Sequence, residues 1–179
     1  LSASIFNENI DAASIVATLS TTDEDASDSH TYSLVSGTGD TDNAAFTIEG
    51  SNLKINSSPD YETQSSYNIR LKTTDSGGLS YDEAVTLSVN DINDVATDIS
   101  LSATSFNENI DAASIVATLS TTDDDASDNH TYALVSGTGD TDNAAFTIEG
   151  NNLKINSSPD YETQSSYNIR LKTTDSGGL

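Results

Sequence analysis

The chain has 179 residues, which is enough for one large domain or two small ones. Its 29 acidic and 6 basic residues give a net charge of −23, and such an acidic chain repels nucleic acid and anionic membrane surfaces. It contains no Cys, which excludes disulfides and argues against a zinc site, and no apolar run approaches the length of a membrane span.

Short runs with period-2 alternation of apolar and polar residues follow one another along the chain and predict β-strands. After an opening run from Leu1 to Phe6, the positions Ile15, Ala17 and Leu19 are predicted to share one face of a strand. The later predicted inward positions are Tyr32, Leu34, Phe46, Ile48, Leu53, Ile55, Tyr67, Ile69, Leu71, Val85, Leu87 and Val89. Turn-rich clusters separate these runs and no helical periodicity is present, so about seven strands form a two-sheet, all-β sandwich.

The sequence is a tandem repeat. Residues 1–79 and 101–179 align without a gap at a period of 100, and 73 of the 79 aligned pairs are identical. A period of this size predicts that each repeat folds around its own core, with repeat 1 spanning 1–94 and repeat 2 spanning 95–179. Repeat 2 lacks a counterpart of residues 80–94, so its last strand is absent. Two explanations are open: the chain was trimmed from a longer array, or another copy adds that strand to the sheet edge.

Acidic residues concentrate in particular loops, where they suit a hard cation such as Ca²⁺, which takes six to eight oxygen ligands. Two Asp at positions i and i+2 of an extended loop point the same way, as in Asp23 and Asp25. A solvated turn is the alternative for any single cluster, because Asp and Asn also bond to their own backbone. We interpret Asp40 and Asp42 in this way, whereas for the whole set the mutual repulsion of so many carboxylates favours bound cations.

The order of five motifs, Asn-Glu-Asn, Asp-x-Asp, Asp-Tyr-Glu, Thr-Asp-x-Gly and Asp-x-Asn-Asp, resembles the calcium motifs of cadherin repeats. The resemblance is strongest to the bacterial cadherin-like repeats of large surface and adhesin proteins. It covers the first repeat and as much of the second as is present. It implies tandem seven-stranded Greek-key β-sandwiches of the immunoglobulin-like, cadherin-like type. The linker departs from the family pattern, because Val95-Ala96-Thr97 follows Asp94 where the family usually has Asn and Pro.

In that family calcium lies between consecutive repeats, and the resemblance implies which residues hold it here. The ligands around the linker would be Glu8, Asp60 and Glu62 from repeat 1, Asp91, Asn93, Asp94 and the carbonyl of Ile92 from the linker, and Asp123, Asp125 and Asp175 from repeat 2. Two half-sites would face further repeats: Asp23, Asp25 and Asp75 at one end, and Glu108, Asp160 and Glu162 at the other.

The implied function is that of a calcium-rigidified extender or spacer in a bacterial adhesin at the cell surface, with neighbouring repeats of the same chain as partners. The alternative is a calcium-dependent binding module for polysaccharide or for repeats of another adhesin copy. We expect neither nucleic-acid binding nor membrane insertion. We also expect no enzyme, because Asp28-Ser29-His30 loses its Ser at Asn129 in the second repeat and no other nucleophile and base pair stands out.

Overall fold

The computed structural model describes residues 1–25 and 27–179. These residues fall into two compact units, Leu1–Ile92 and Asn93–Leu179, which we call unit 1 and unit 2. The sequence-based boundary after residue 94 lies two residues beyond this division. Within the described ranges, no helix has the length and apolar character needed to cross a membrane.

Unit 1 is a sandwich of two β-sheets. Its strands are β1 (Ile5–Asn7), β2 (Ile15–Thr18), β3 (His30–Leu34), β4 (Phe46–Glu49), β5 (Asn52–Ile55), β6 (Ser66–Asp75) and β7 (Ser80–Asn90), with a 3-10 turn at Asn43–Ala45. One sheet has the order β1-β7-β6-β3 and the other β2-β5-β4. Strand β1 runs parallel to β7, whereas β6 pairs antiparallel with both β7 and β3. The prediction of an all-β sandwich is confirmed.

The core of unit 1 lies between the two sheets and is built from the inward positions of the alternating strands. Leu53, Ile55, Ile69 and Leu87 are each at most 1% exposed. Three aromatic rings, Phe6, Phe46 and Tyr67, meet edge-on or stacked with centroids 5.3 to 6.4 Å apart. Such contacts add about 1 kcal/mol per pair to the effect of burial alone.

Strand β2 departs from the predicted alternation. Val16 and Ala17 are both buried, whereas Ile15 is 54% exposed. The register of β2 against β5 shifts between Ile15 and Ala17, as in a β-bulge, where two successive residues oppose one partner residue. The prediction that Ile15 shares a face with Ala17 and Leu19 is therefore wrong, because the bulge turns Ile15 outward.

Unit 2 is built from strands β8 (Asp98–Leu101), β9 (Ile115–Thr122), β10 (Thr131–Leu134), β11 (Phe146–Glu149), β12 (Asn152–Ile155) and β13 (Leu171–Thr174), with a 3-10 turn at Asn143–Ala145. One sheet has the order β11-β12-β9-β8, and β10 pairs antiparallel with β13 in the other. The buried centre consists of Val116, Ala117, Phe146, Leu153 and Ile155.

Two segments that form strands in unit 1 do not do so in unit 2. Residues 105–107, the counterparts of β1, and residues 166–170, the counterparts of the first half of β6, have no strand structure. Both segments flank β7 in unit 1, and no described strand of unit 2 takes that place. Tyr167 and Ile169, whose counterparts are buried in unit 1, are only partly buried and line a cavity of about 460 Å³.

Candidate metal centre

Three carboxylates of unit 1 meet beyond the end of the sheets. Glu8, Asp60 and Glu62 each place an oxygen within 4.8 Å of the others. Two oxygens bound to one Ca²⁺ at about 2.4 Å can be at most about 4.8 Å apart. The structure thus brings together the three ligands that the sequence predicted for the lower end of repeat 1.

Glu8 is held in this cluster by backbone hydrogen bonds. The left-handed backbone of Asn9, with φ 58°, turns the chain so that the Asn9 amide donates to the Pro59 carbonyl at 2.9 Å. The Glu8 side chain is only 3% exposed, and its two oxygens accept from the amides of Tyr61 at 2.7 Å and Ile92 at 2.6 Å. Each oxygen keeps a second lone pair, so these bonds position the carboxylate without preventing metal ligation.

Asp60 is oriented by its own turn. The hydroxyl of Thr63 donates to Oδ2 at 2.7 Å, and the amide of Thr63 donates to Oδ1 at 2.9 Å. The hydroxyl bond, aided by the amide bond, lowers the pKa of Asp60 below its ordinary value of 3.8. Asp60 is therefore ionised at neutral pH, as a metal ligand must be.

The same cluster recurs in unit 2 with less support. Glu108, Asp160 and Glu162 also place their oxygens within 4.8 Å of one another, but all three residues are exposed. Glu108 accepts from the amide of Tyr161 at 3.1 Å, a longer bond than its counterpart in unit 1. The hydroxyl of Thr163 donates to Asp160 and lowers the pKa of that carboxyl.

The Asp-x-Asp loop of unit 2 is organised around Asp123. Its Oδ1 accepts from the amide of Asp125 at 3.2 Å, and its Oδ2 lies 2.8 Å from Nε2 of His130. The side chain of Asp123 is only 3% exposed. Asp125 in turn accepts from the amide of Asp94 at 2.6 Å, so this loop is joined to the linker residue predicted as a ligand.

Asp175 contacts a second linker residue. Its Oδ2 accepts from the side-chain amide of Asn93 at 3.0 Å, and its Oδ1 accepts from the amides of Gly178 and Leu179. The hydrogen bond from the Leu179 amide is the main cause that lowers the pKa of Asp175. Burial acts in the opposite direction, and the hydrogen bonds from Asn93 and Gly178 add to the lowering. A Cβ at Gly177 would lie 2.1 Å from Oδ1 of Asn93, so only glycine leaves room for this arrangement.

The corresponding residues of unit 1 repeat the hydrogen bonds of this loop. The amide of Asp25 donates to Asp23 at 3.0 Å, and a hydrogen bond with His30 is the main cause that lowers the pKa of Asp23. Asp75 lies opposite His30 in the pairing of β6 with β3. Within the described ranges, neither this triad nor its unit 2 counterpart has all three carboxylates within 4.8 Å of one another. Asp91 is exposed and follows the last residue of β7.

Several residues that shape these sites were not identified from sequence. His30 and His130 follow the first Asp of each Asp-x-Asp pair by seven positions, and Thr63 follows Asp60 by three. The Asp-x-x-Thr spacing is a recognisable turn signal. Gly177 is the last residue of the Thr-Asp-x-Gly motif, but the reason for a glycine there depends on Asn93, which is distant in sequence.

The donor set defines what these clusters can bind. Both three-residue clusters consist of carboxylates alone, and the described residues in them offer no nitrogen or sulfur ligand. Hard oxygen donors suit Ca²⁺ or Mg²⁺ rather than zinc or copper. Three like charges at these separations repel by about 1 kcal/mol per pair in water, which a divalent cation would offset. The residues therefore fit Ca²⁺.

Comparison with known proteins agrees with the fold. No family model matches the chain. Protocadherin Fat 4 of the mouse is 30% identical over 178 residues, a match that covers 96% of this chain and 4% of Fat 4. The chain thus spans a small part of that relative.

Two solved structures show the same fold. A crystal structure of human protocadherin-24 EC1-2 matches with a TM-score of 0.72 and 24% identity over 98% of this chain and 84% of that one. Protocadherin gamma B2 extracellular cadherin domains 3–6 match with a TM-score of 0.64 and 17% identity over 96% of this chain and 41% of that one.

The chain has the cadherin-like β-sandwich fold, which confirms that part of the predicted resemblance. The proteins it matches are cadherins rather than enzymes, in agreement with the prediction that the chain is not an enzyme. Extracellular cadherin domains are the matched part of protocadherin gamma B2, and the prediction of an extracellular location is consistent with this match.

Proposed function

We propose that the chain is a calcium-stiffened extender of a surface adhesin, in which Ca²⁺ bound near the linker restricts bending between neighbouring repeats. The proposed ligands are the sixteen residues identified from the motifs, with the carbonyl of Ile92 among them. A bacterial origin stays a prediction from motif resemblance, because the matched proteins with a stated organism are from mouse and human.

The observation that carries the proposal is the carboxylate cluster of Glu8, Asp60 and Glu62. Glu8 is 3% exposed and ionisable, and it is pre-oriented by two backbone amides. Burying a carboxylate beside two others is unfavourable unless a cation neutralises them. The same three positions cluster again in unit 2, so the arrangement belongs to the repeat.

Charge explains why calcium would stiffen the chain. With a net charge of −23, the acidic side chains of the chain repel one another. The predicted ligands around the linker concentrate that negative charge. Ions that take ligands from the linker and from both repeats would replace repulsion by shared coordination. The linker residues Val95, Ala96 and Thr97 include no Pro, so they offer little stiffness of their own.

A titration of the chain with Ca²⁺ by calorimetry tests the binding. Asp94→Ala should weaken binding at least tenfold, because Asp94 is a proposed ligand and second-sphere losses alone reach about tenfold. Asp40→Ala is the matched control, because Asp40 accepts from the Gly37 amide within a turn. Equal effects of the two substitutions would overturn the ligand assignment.

Small-angle scattering tests the stiffening separately. The maximum dimension should be longer and better defined in Ca²⁺ than in chelator, and the double change Asp123→Ala and Asp125→Ala should remove that difference. If the chain binds Ca²⁺ but scatters identically in Ca²⁺ and in chelator, the metal-site proposal stands and the extender proposal is wrong.

A further inference from the structure

A histidine to which the motifs assign no role lies against the Asp-x-Asp loop of unit 2. His130 follows Asp123 by seven positions, and its Nε2 lies 2.8 Å from Oδ2 of Asp123. Both side chains are largely withdrawn from solvent, since that of His130 is 12% and that of Asp123 only 3% exposed. The contact is therefore made away from bulk water, where a hydrogen bond is electrostatically stronger than at the surface.

The chemistry of the pair fixes which atom donates. An ionised carboxylate only accepts, so Nε2 of His130 carries the proton and donates it to Asp123. A neutral imidazole donates from one nitrogen only, so this bond selects the Nε2–H tautomer. A neutral donor orients the carboxylate and leaves its negative charge to a cation, whereas Lys or Arg in the same place would offset that charge.

Asp123 has acceptor capacity left for a metal. Its Oδ1 accepts from the amide of Asp125 at 3.2 Å and its Oδ2 accepts from His130, so each oxygen keeps a second lone pair. Because the side chain is only 3% exposed, water has little access to these lone pairs. A buried carboxylate with incomplete partners is unfavourable, and a bound cation would supply the interaction that water does not.

Strand pairing holds the backbone of His130 in place. His130 immediately precedes β10, and Asp175 immediately follows β13. The two strands pair antiparallel with Thr131 opposite Thr174, so these two ends lie side by side. His130 is thus placed by the sheet beside a second proposed ligand, while its side chain contacts Asp123.

The same pair recurs in unit 1. Nε2 of His30 lies 3.0 Å from Oδ2 of Asp23. The six residues between these two side chains differ at two positions from their counterparts in unit 2, and the contact is formed in both units. The pair therefore belongs to the repeat and does not depend on the exact sequence of the loop.

We propose that His130 is a positioning residue for calcium, which holds the carboxylate of Asp123 in a ligating orientation through its Nε2–H. This inference rests on the proposed function, because it takes Asp123 to be a ligand. Within the described ranges, the carboxylates of Asp123, Asp125 and Asp175 are not all within 4.8 Å of one another, so binding has to draw them together. A carboxylate that is already fixed in place lowers the cost of that step.

Three variants of the whole chain, titrated with Ca²⁺ by calorimetry, test the proposal. His130→Met has a side chain of similar length without an N–H donor and should weaken calcium binding roughly tenfold. His130→Gln keeps an N–H group that can take the place of Nε2 and should restore most of the affinity. The matched control is His30→Met, which removes the same donor beside Asp23. It should leave the affinity near the linker unchanged, because Asp23 is not among the ligands proposed there.

A spectroscopic measurement on the unaltered chain separates positioning from a purely structural role. The ring-nitrogen chemical shifts of His130 should report the Nε2–H tautomer in chelator, above neutral pH. They should change when Ca²⁺ is added, because the metal would withdraw electron density from the carboxylate that accepts this hydrogen bond. This measurement also decides the question if His130→Met does not fold, since shifts that are unchanged by Ca²⁺ would overturn the proposal.

The variants give further outcomes that would overturn the proposal. These are an unchanged affinity in His130→Met, equal losses in His130→Met and His130→Gln, and equal losses in His130→Met and His30→Met. If Asp94→Ala weakens calcium binding and His130→Met does not, the inference about His130 is wrong and the metal site stands. If the unaltered chain binds no Ca²⁺, the proposed function and this inference are both wrong.

Discussion

The two units carry the same residue at 73 of 79 aligned positions and yet form different sheets. Strand β6 of unit 1 spans ten residues, whereas its counterpart β13 spans four. The sequences of these two segments are identical, so local preference cannot explain the difference. A strand forms where a neighbouring strand satisfies its backbone, and β7 provides this in unit 1.

The side-chain packing differs less than the sheets. The edge-on contact of Phe46 with Tyr67 has a centroid distance of 5.3 Å, and that of Phe146 with Tyr167 has 5.4 Å. Tyr67 is buried, whereas Tyr167 is half-buried. The aromatic arrangement therefore persists without its cover, and the two units differ mainly in what shields the core from water.

The largest expected difference is in the stability of the units. Leu87 and Val89 each contribute about 2 kcal/mol by burial, so unit 1 should unfold at higher denaturant concentration than unit 2. The amide hydrogens of Tyr67 and Ile69 should exchange roughly 100-fold more slowly than those of Tyr167 and Ile169. Adding a second copy of residues 80–94 after Leu179 should equalise the two rates. Equal amide exchange rates of the two units in the original chain would contradict the prediction that β7 makes unit 1 more stable.

A matched pair of core substitutions sharpens the comparison. Ile69→Ala should cost about 3 kcal/mol, because Ile69 is 0% exposed. Ile169→Ala should cost about 1 kcal/mol, since its side chain already borders an open cavity. Chemical denaturation followed through amide signals of each unit measures both costs. A larger cost at Ile169 would mean that the cavity is closed in solution.

A second pair tests the linker contacts of unit 2. Gly177→Ala should displace Asn93 from Asp175, because the new Cβ would lie 2.1 Å from Asn93 Oδ1. Calcium affinity should fall by roughly tenfold, and the Asn93 side-chain amide signal should shift. Gly77→Ala is the control, because its nearest neighbour is Asp75 Oδ1 at 3.3 Å. A similar loss of calcium affinity in both variants would mean that Gly177 has no specific role in the metal site.

The smallest expected effect concerns pH and is the same in both units. The Thr63 hydroxyl lowers the pKa of Asp60 below 3.8, so the bond stabilises the fold above that pH. The contribution is lost as pH falls through the lowered pKa, that is, below about pH 4. Thr63→Val should raise the pKa of Asp60 in a carboxyl NMR titration, and Thr163→Val should do the same for Asp160. If the pKa of the Asp stayed unchanged in these variants, the hydroxyl bond would not be the cause of the lowered pKa.

The sequence predicted the strands and the grouping of carboxylates where the signal was local or repeated. Alternation located Leu53, Ile55 and Leu87 in the core correctly, and the carboxylates of the Asn-Glu-Asn and Asp-Tyr-Glu motifs lie close together, whereas their role as ligands stays a prediction. Motif order was informative because it is fixed by the fold, so residues far apart in sequence could be assigned to one end of a sandwich.

Other features depended on contacts that the pattern does not contain. The bulge at Ile15 arises from the register of β2 against β5, which alternation alone cannot reveal. The exposure of Glu108 and the loss of strand structure at 166–170 depend on a missing neighbour and not on the residues themselves, which are identical to those of unit 1. The sequence predicted that repeat 2 lacks its last strand, but not that residues 105–107 and 166–170 would lose their strand structure with it.

Strand β7 also determines the order of events when the chain folds. Both units present a face that this strand could cover, but β7 follows β6 after a turn of four residues. Closing that turn rather than a loop of roughly 75 residues saves about 2.5 kcal/mol of chain entropy. The β6–β7 hairpin therefore forms before the competing long-range pairing. Dilute refolding should give one product, whereas in concentrated refolding each β7 can pair with the β6 strand of another unfolded chain, which lowers the yield.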